Sequence, residues 1–211
     1  LEIELEEIME IYFVRHGETE WNNSNRWQGR SDIPLSEKGR EQAKKTGRFL
    51  KRLIPSTAAV FTSDLVRARE TAEIIGLFLG KSPIVNPVLR EADVGLWNGL
   101  GISEAFESFG NLIEYWRKDP WADIPDTEPL GAVQRRAVEF VRYLSSNYPG
   151  KQVIVVSHAL LIRTALCHAM GLPLENHYRL SVHNCSVSAI GVGRAEIRAL
   201  ELNLWRHLED Y

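Results

Sequence analysis

Ile11-Tyr12-Phe13-Val14-Arg15-His16-Gly17-Glu18 holds four apolar or aromatic residues followed at once by charge. A short, unbroken apolar run is how a strand buried on both faces reads. The charged residues behind it then sit where such a strand leaves its sheet. The arrangement returns in Val153-Ile154-Val155-Val156-Ser157-His158. Two weaker versions lie between them, Ala58 to Phe61 ahead of Ser63-Asp64, and Ile84 to Leu89 ahead of Arg90-Glu91.

Helical spacing fills the intervals. Ser36 is positioned to cap a helix carrying Ala43, Leu50, Leu53 and Ile54. Ser63 reads as the cap of a second, with Leu65, Ala68, Ala72, Ile75 and Leu79 on one face and Gly80 as its stop. A third carries Ala132, Val133, Ala137, Phe140, Val141 and Leu144, and a fourth follows His158 as far as Met170. Strands are expected near Val187 to Val192 and Ile197 to Leu202. Strand and helix in alternation predict an α/β layer fold with a mostly parallel sheet flanked by helices. Residues 96–130 break the pattern with a helical piece near Ser103 to Trp116 and a Pro-rich connector, and read as a lid-like insertion over one end of the sheet. Residues 9–211 form one domain in this reading, and Leu1 to Ile8 an extension ahead of Met9.

The 211 residues carry a formal net charge of -3, no basic field for nucleic acid or an anionic membrane. Any anion the chain holds must be captured by a local cluster. Cys167 and Cys185 make neither a metal spacing nor a disulfide framework, and are expected as buried thiols. No apolar run approaches the ~20 residues of a membrane span, and no signal-peptide pattern precedes the first strand. These features suggest a cytoplasmic protein.

Parallel sheets bind ligands beyond the carboxyl ends of their strands. There the sequence delivers Arg15-His16-Gly17-Glu18, Ser63-Asp64 with Arg67 in the next helical turn, Arg90-Glu91, and Ser157-His158. Arginine forks suit phosphoryl oxygens, and helix N-termini add amide donors. A neutral imidazole can attack phosphorus while a carboxylic acid protonates the departing oxygen. Glu18, Asp64 and Asp93 compete with Glu91 for that last part. Arg69 reads as structural, and His168, His177, His183 and His207 have no motif around them. Ser157 lacks the glycine-flanked elbow of a serine hydrolase.

Taken together, Phe13-Val14-Arg15-His16-Gly17-Glu18-Thr19-Glu20-Trp21-Asn22 resembles the opening signature of the histidine phosphatase superfamily, whose members include cofactor-dependent phosphoglycerate mutases. Ser63 to Ala72, Leu89-Arg90-Glu91 with Gly95-Leu96-Trp97-Asn98-Gly99, and Val155-Val156-Ser157-His158 resemble its later blocks, in order. The resemblance implies a three-layer α/β fold and a phosphatase that needs neither metal nor cofactor. It implies His16 as nucleophile, Arg15, Arg67 and His158 around the phosphate, and Glu91 as proton donor. Asn22, Gln28 and Gly29 would border the substrate. Ala159 and Leu160 depart from the glycines common after the second histidine, and residues 126–131 depart from the family's usual stretch.

The insertion bears on the substrate, a small phosphate monoester. Glu104, Glu107, Glu114, Asp119, Asp123, Asp126 and Glu128 outnumber Arg117 and Lys118, alongside Trp97, Phe106, Phe109, Tyr115, Trp116 and Trp121. Most of these aromatics are expected to pack onto the core. An acidic, aromatic lid favours a monophosphate with an apolar or ring-bearing leaving group over a small polyanion. Phosphoglycerate mutase, an α-ribazole-phosphate phosphatase and, in another class, an inactive phospho-ligand-binding module are the alternatives.

Overall fold

The computed structural model describes residues 8–194 and 196–209, so most of the expected extension, 1–7, lies outside the described residues. Strand β1 is Met9–Arg15, followed by one short turn, α1 (Glu20–Asn23), and by α2 (Glu37–Leu53). Then come β2 (Ala59–Thr62), α3 (Val66–Leu79), β3 (Ile84–Val85), α4 (Ile102–Lys118) and α5 (Leu130–Asn147). The chain ends with β4 (Gln152–Ser157), α6 (Ala159–Ala169), β5 (Val187–Val192) and β6 (Ile197–Leu204).

The strands form one sheet in the order β3-β2-β4-β1-β5-β6. The first four run parallel, and β5 and β6 close the sheet antiparallel. Side chains of a strand alternate between faces, and β1 divides its residues accordingly. Ile11 and Phe13 join Phe61, Val153 and Val155 in a core covered by α4, α5 and α6. Tyr12 and Val14 join Val60, Ile154 and Val156 in a second core covered by α2 and α3. Both faces of the central strands are buried, which is why β1 and β4 read as continuous apolar runs. The result is the three-layer architecture that the resemblance implies.

Ser36 caps α2 as expected, accepting from the Gly39 amide at 3.1 Å, and Gly80 ends α3 in the left-handed conformation with φ 65°. Ser63 does not cap α3. The cap position is Leu65, without a side-chain cap; Ser63 Oγ accepts from the Leu65 amide, and Asp32 Oδ1 accepts from the Val66 amide at 2.6 Å. The extra two residues place Asp64 outside the helix, where it pairs with Arg90 (Nε–Oδ1 2.8 Å). The extended stretch after Ile84 is also shorter than expected. Asn86 and Pro87 turn it into a 3-10 helix, Pro87–Leu89, which aims Arg90 and Glu91 back across the strand ends. Helix α4 outruns its expected bounds at both ends and bends at Phe109 (φ -132°, ψ 18°). Cys167 and Cys185 are buried free thiols. No helix among the described residues is long and apolar enough to cross a membrane.

Candidate active site

The pairing of β1 with β4 sets the site. Arg15 lies opposite Ser157, so the residues that follow, His16 and His158, leave the sheet side by side. The His16 amide donates to the Ser157 carbonyl at 2.9 Å, and the two imidazole centroids stand 5.2 Å apart. Both rings are buried. Gly17 is held against α2 so tightly that a Cβ there would stand 2.5 Å from the Gly39 carbonyl oxygen. Its amide donates to Thr71 Oγ1 (3.0 Å), and that hydroxyl donates to the Arg67 carbonyl (2.7 Å). The loop that carries His16 and the start of α3 are thus one hydrogen-bonded unit.

The Gly17 carbonyl lies 2.8 Å from His16 Nδ1, which must therefore carry the ring proton. Nε2 is left with its lone pair, and Arg67 Nε donates toward it at 3.3 Å. Burial, then Arg67 and Arg15, push the His16 imidazolium well below its ordinary range, so the ring is neutral. His158 is lowered in the same way by burial, Arg67 and His16. Neither of its ring nitrogens meets a protein partner.

Arg67 is fully buried, its Nη1 and Nη2 fixed on the carbonyls of Ser31 (2.6 Å) and Gly29 (2.7 Å). Arg15 donates from Nη1 to Val182 O at 2.8 Å, and its buried Nε has no partner. Burial lowers both guanidiniums to about 10, which leaves them charged at neutral pH. Glu91 is buried at the start of α6. Its Oε1 accepts from Ala92 N (3.0 Å), and both oxygens accept from Leu160 N (3.2 and 3.3 Å). The segment behind it is pinned by Ser157 Oγ to the Leu89 carbonyl (2.8 Å) and by Arg136 to the Arg90 carbonyl (2.6 Å).

A cavity of about 450 Å³ opens over these groups, lined by Arg15, His16, Asn22, Gln28, Gly29, Arg67 and Glu91, with the His158 ring tilted against that of His16. The eight residues singled out in the sequence are thus gathered in one place. The competing carboxylates are not among the lining residues. Glu18 pairs with Lys38 (2.8 Å), Asp64 with Arg90, and Asp93 faces Arg30 at 3.6 Å. Arg69 lies outside, 3.8 Å from Glu73. Among the described residues no cluster of histidine, cysteine, aspartate or glutamate has the makings of a metal cage.

The outer wall differs from expectation. Its aromatic half is as read, with Phe106 and Trp116 of α4 joining Trp21 and Trp27, while Trp97 packs edge-on to Trp27 and Trp116 in the core. Its acidic half is not. Glu104 accepts from the Gly101 amide, Glu114 faces Arg117 and Lys118, Asp119 holds the Trp121 amide, and Glu128 pairs with Arg136 and Arg30. Glu107, Asp123 and Asp126 are exposed. What α4 and α6 present to the cavity instead is Arg117 and Arg163. Helix periodicity separates these faces, and a charge count over the whole insertion does not. His177 was also passed over. It is buried, lowered to about 4 chiefly by burial, and lines the cavity. Asn184, likewise unmarked by any motif, donates to the His16 carbonyl (3.0 Å) and to Asn22 Oδ1 (3.1 Å).

Residues 11–204 match the model of the histidine phosphatase superfamily, branch 1. The chain belongs to this superfamily. It is 35% identical to a probable phosphoglycerate mutase, GpmB, of Cronobacter sakazakii, over 87% of this chain and 85% of the relative. Phosphoserine phosphatase 1 of Hydrogenobacter thermophilus is 29% identical over 97% and 96% of the two chains. Among solved structures, a mycobacterial glucosyl-3-phosphoglycerate phosphatase complexed with VO3 superposes with a TM-score of 0.83 at 28% identity, covering 92% of this chain and 98% of the other. Histidine phosphatases therefore share both its sequence blocks and its three-layer fold.

Proposed function

We propose that the chain hydrolyses small phosphate monoesters by way of a phosphohistidine on His16. The observation that carries this reading is the His16 ring, neutral, with Nδ1 fixed on the Gly17 carbonyl and the Nε2 lone pair facing into the cavity beside Arg67. Phosphatases among the relatives lend support. Nε2 attacks phosphorus in line with the leaving oxygen, forming the N–P bond as the P–O bond to the leaving group breaks. Arg15, Arg67 and His158 surround the phosphoryl oxygens, where forked donors and a ring N–H meet charge spread over three oxygens.

The departing alkoxide takes a proton from Glu91 and leaves as an alcohol. Glu91 acts as general acid in this half and recovers the same proton from water in the next. In the second half, water attacks the phosphohistidine, Glu91 takes the water's proton, and phosphate departs from a neutral His16. Asn22, Gln28 and Gly29 stand at the rim, Gly29 through the carbonyl that fixes Arg67. Rapid acid-free quenching with a labelled monoester tests the reading. Label is expected on His16 as a base-stable adduct; turnover without it, or label on His158, would overturn the assignment. Phosphoglycerate mutation is the second reading, favoured by the arginines of the outer wall. Interconversion of 2- and 3-phosphoglycerate faster than phosphate release, with 2,3-bisphosphoglycerate present, would put it first.

A further inference from the structure

The His16 ring is fixed at Nδ1 by the Gly17 carbonyl, so its aim depends on how the His16–Gly17 peptide is held. A peptide unit is planar, and bonds at both of its ends fix the plane. Thr71 takes one end, accepting from the Gly17 amide at 3.0 Å. At the other end the His16 carbonyl accepts from Asn184 Nδ2 at 3.0 Å and from the Cys185 amide at 3.3 Å. That side of the hold rests on one turn, residues 183–186, closed by the Ser186 amide on the His183 carbonyl at 3.0 Å.

The turn does not stand by itself. Cys185 is buried at φ 57°, a left-handed conformation that residues other than glycine keep only where their surroundings impose it. Those surroundings are residues 203–208 and helix α2. Asn203, itself left-handed at φ 51°, accepts on Oδ1 from the His183 amide at 2.9 Å. Its Nδ2 then faces His183 Nδ1, also at 2.9 Å. On the opposite side Thr46 Oγ1 reaches the Cys185 carbonyl (3.2 Å), and His207 Nε2 lies 3.0 Å from the same hydroxyl. The His207 ring is stacked on Phe49 with centroids 4.4 Å apart, and Lys45 Nζ holds the Leu208 carbonyl at 2.9 Å. Neither Asn203 nor His207 lines the cavity.

We propose that residues 203–208 clamp the 183–186 turn from both sides, and that Asn203 and His207 are positioning residues which aim the His16 ring through it. This rests on the reading of His16 as the attacking residue and adds the part of the chain that holds it. Losing either side of the grip frees the His16 carbonyl and spreads the ring over more orientations. Attack on phosphorus suffers from that spread, whereas the arginines that bind the anion do not move.

Turnover of p-nitrophenyl phosphate and affinity for vanadate, measured on the same variants, test it. Asn203→Gly deletes both side-chain bonds, and glycine takes the left-handed backbone freely. Its kcat is expected to fall about three- to tenfold, the order of one neutral hydrogen bond, with vanadate affinity little changed. His207→Phe keeps the stack on Phe49 and loses Nε2, and the same split is expected. His207→Gln, which can return an N–H near that position, should recover part of the loss. Asn203→Gly combined with Asn184→Ala tests the route. Both act on one carbonyl, so the double variant should be little slower than Asn184→Ala alone. Losses that multiply would overturn the clamp, as would an unchanged kcat in both Asn203→Gly and His207→Phe, or a fall shared equally by kcat and vanadate affinity. Label on His16 keeps the two readings apart. A parent enzyme that labels His16, with variants that turn over as fast, refutes the clamp alone; a parent without that label refutes the nucleophile on which the clamp depends.

Discussion

The two ends of the cavity are built on different plans. At the reacting end the two histidines and Arg67 hang from the end of a parallel strand or the first turn after one, His16 by β1, Arg67 after β2 and His158 by β4, while Glu91 is brought in by the 3-10 helix that follows β3. At the outer end the wall comes from α4, which bends at Phe109, from residues 174–180 and from the outward face of α6. Chemistry that must be positioned to a fraction of an ångström sits on the rigid plan. The outer wall, where the proposed reaction would meet the leaving group, sits on the plan that sequence can vary without disturbing the sheet.

The sharpest way to break this comparison is to remove the nucleophile we propose. His16→Ala is expected to cut turnover on the order of 10⁴-fold or more and to abolish the labelled adduct. His158→Ala should slow turnover severely yet still leave some label on His16, because it withdraws a donor from the phosphoryl oxygens and not the attacking nitrogen. Quenched-flow labelling of the two variants separates them, and equal loss of label in both would erase the division of labour between the rings.

Glu91→Gln comes next. An alkoxide needs a proton as its bond to phosphorus breaks, whereas p-nitrophenolate leaves without one. A loss of ~10²–10⁴-fold is expected on alkyl monoesters and a much smaller one on p-nitrophenyl phosphate. Comparable losses on both would take the proton donor away from Glu91.

The contrast also explains what could be read from the sequence. The reacting end was legible because strand ends convert linear order into place: once the runs at Ile11 and Val153 are taken as neighbouring parallel strands, His16 and His158 must meet. Helix α3 was placed to its last residue but two residues early at its start, where its cap was assigned to Ser63, because nothing local reveals that Asp64 is wanted by Arg90. The outer wall was misjudged. Summing charge over 96–130 treated the insertion as one surface, while α4 turns Glu104, Glu107 and Glu114 away and Arg117 inward. His177 and Asn184 lie in loops whose neighbours in space come from distant parts of the chain, and no spacing announces them.

Between the two ends stands Asn184, which ties the His16 carbonyl to Asn22 Oδ1. Neither contact touches the reacting atoms, so Asn184→Ala should loosen the alignment of the ring without removing a charge. The expected loss is about tenfold in kcat, the order of one neutral hydrogen bond, with little change in the affinity for vanadate. A loss confined to KM would place Asn184 in the outer wall instead.

The smallest effect concerns stability and counts four histidines, three at the cavity and His207 away from it. His16 and His158 are held well below the ordinary imidazole range, and His177 and His207 are each lowered to about 4, in every case first by burial. In the unfolded chain each takes a proton near pH ~6.5. Below that value the unfolded state binds more protons than the fold does, so stability falls as the pH drops from about 6.5 toward 4 and is recovered above it. The melting temperature should therefore begin to fall well before the carboxylates of the ion pairs are protonated. His207→Gln, remote from the cavity, should flatten part of that slope, since it removes one of the protons that only the unfolded chain accepts. Thermal unfolding followed at half-unit pH steps measures it; a melting temperature constant between pH 6.5 and 5 would mean that the imidazoles are not held neutral, and with that the neutral nucleophile at His16 would lose its physical basis.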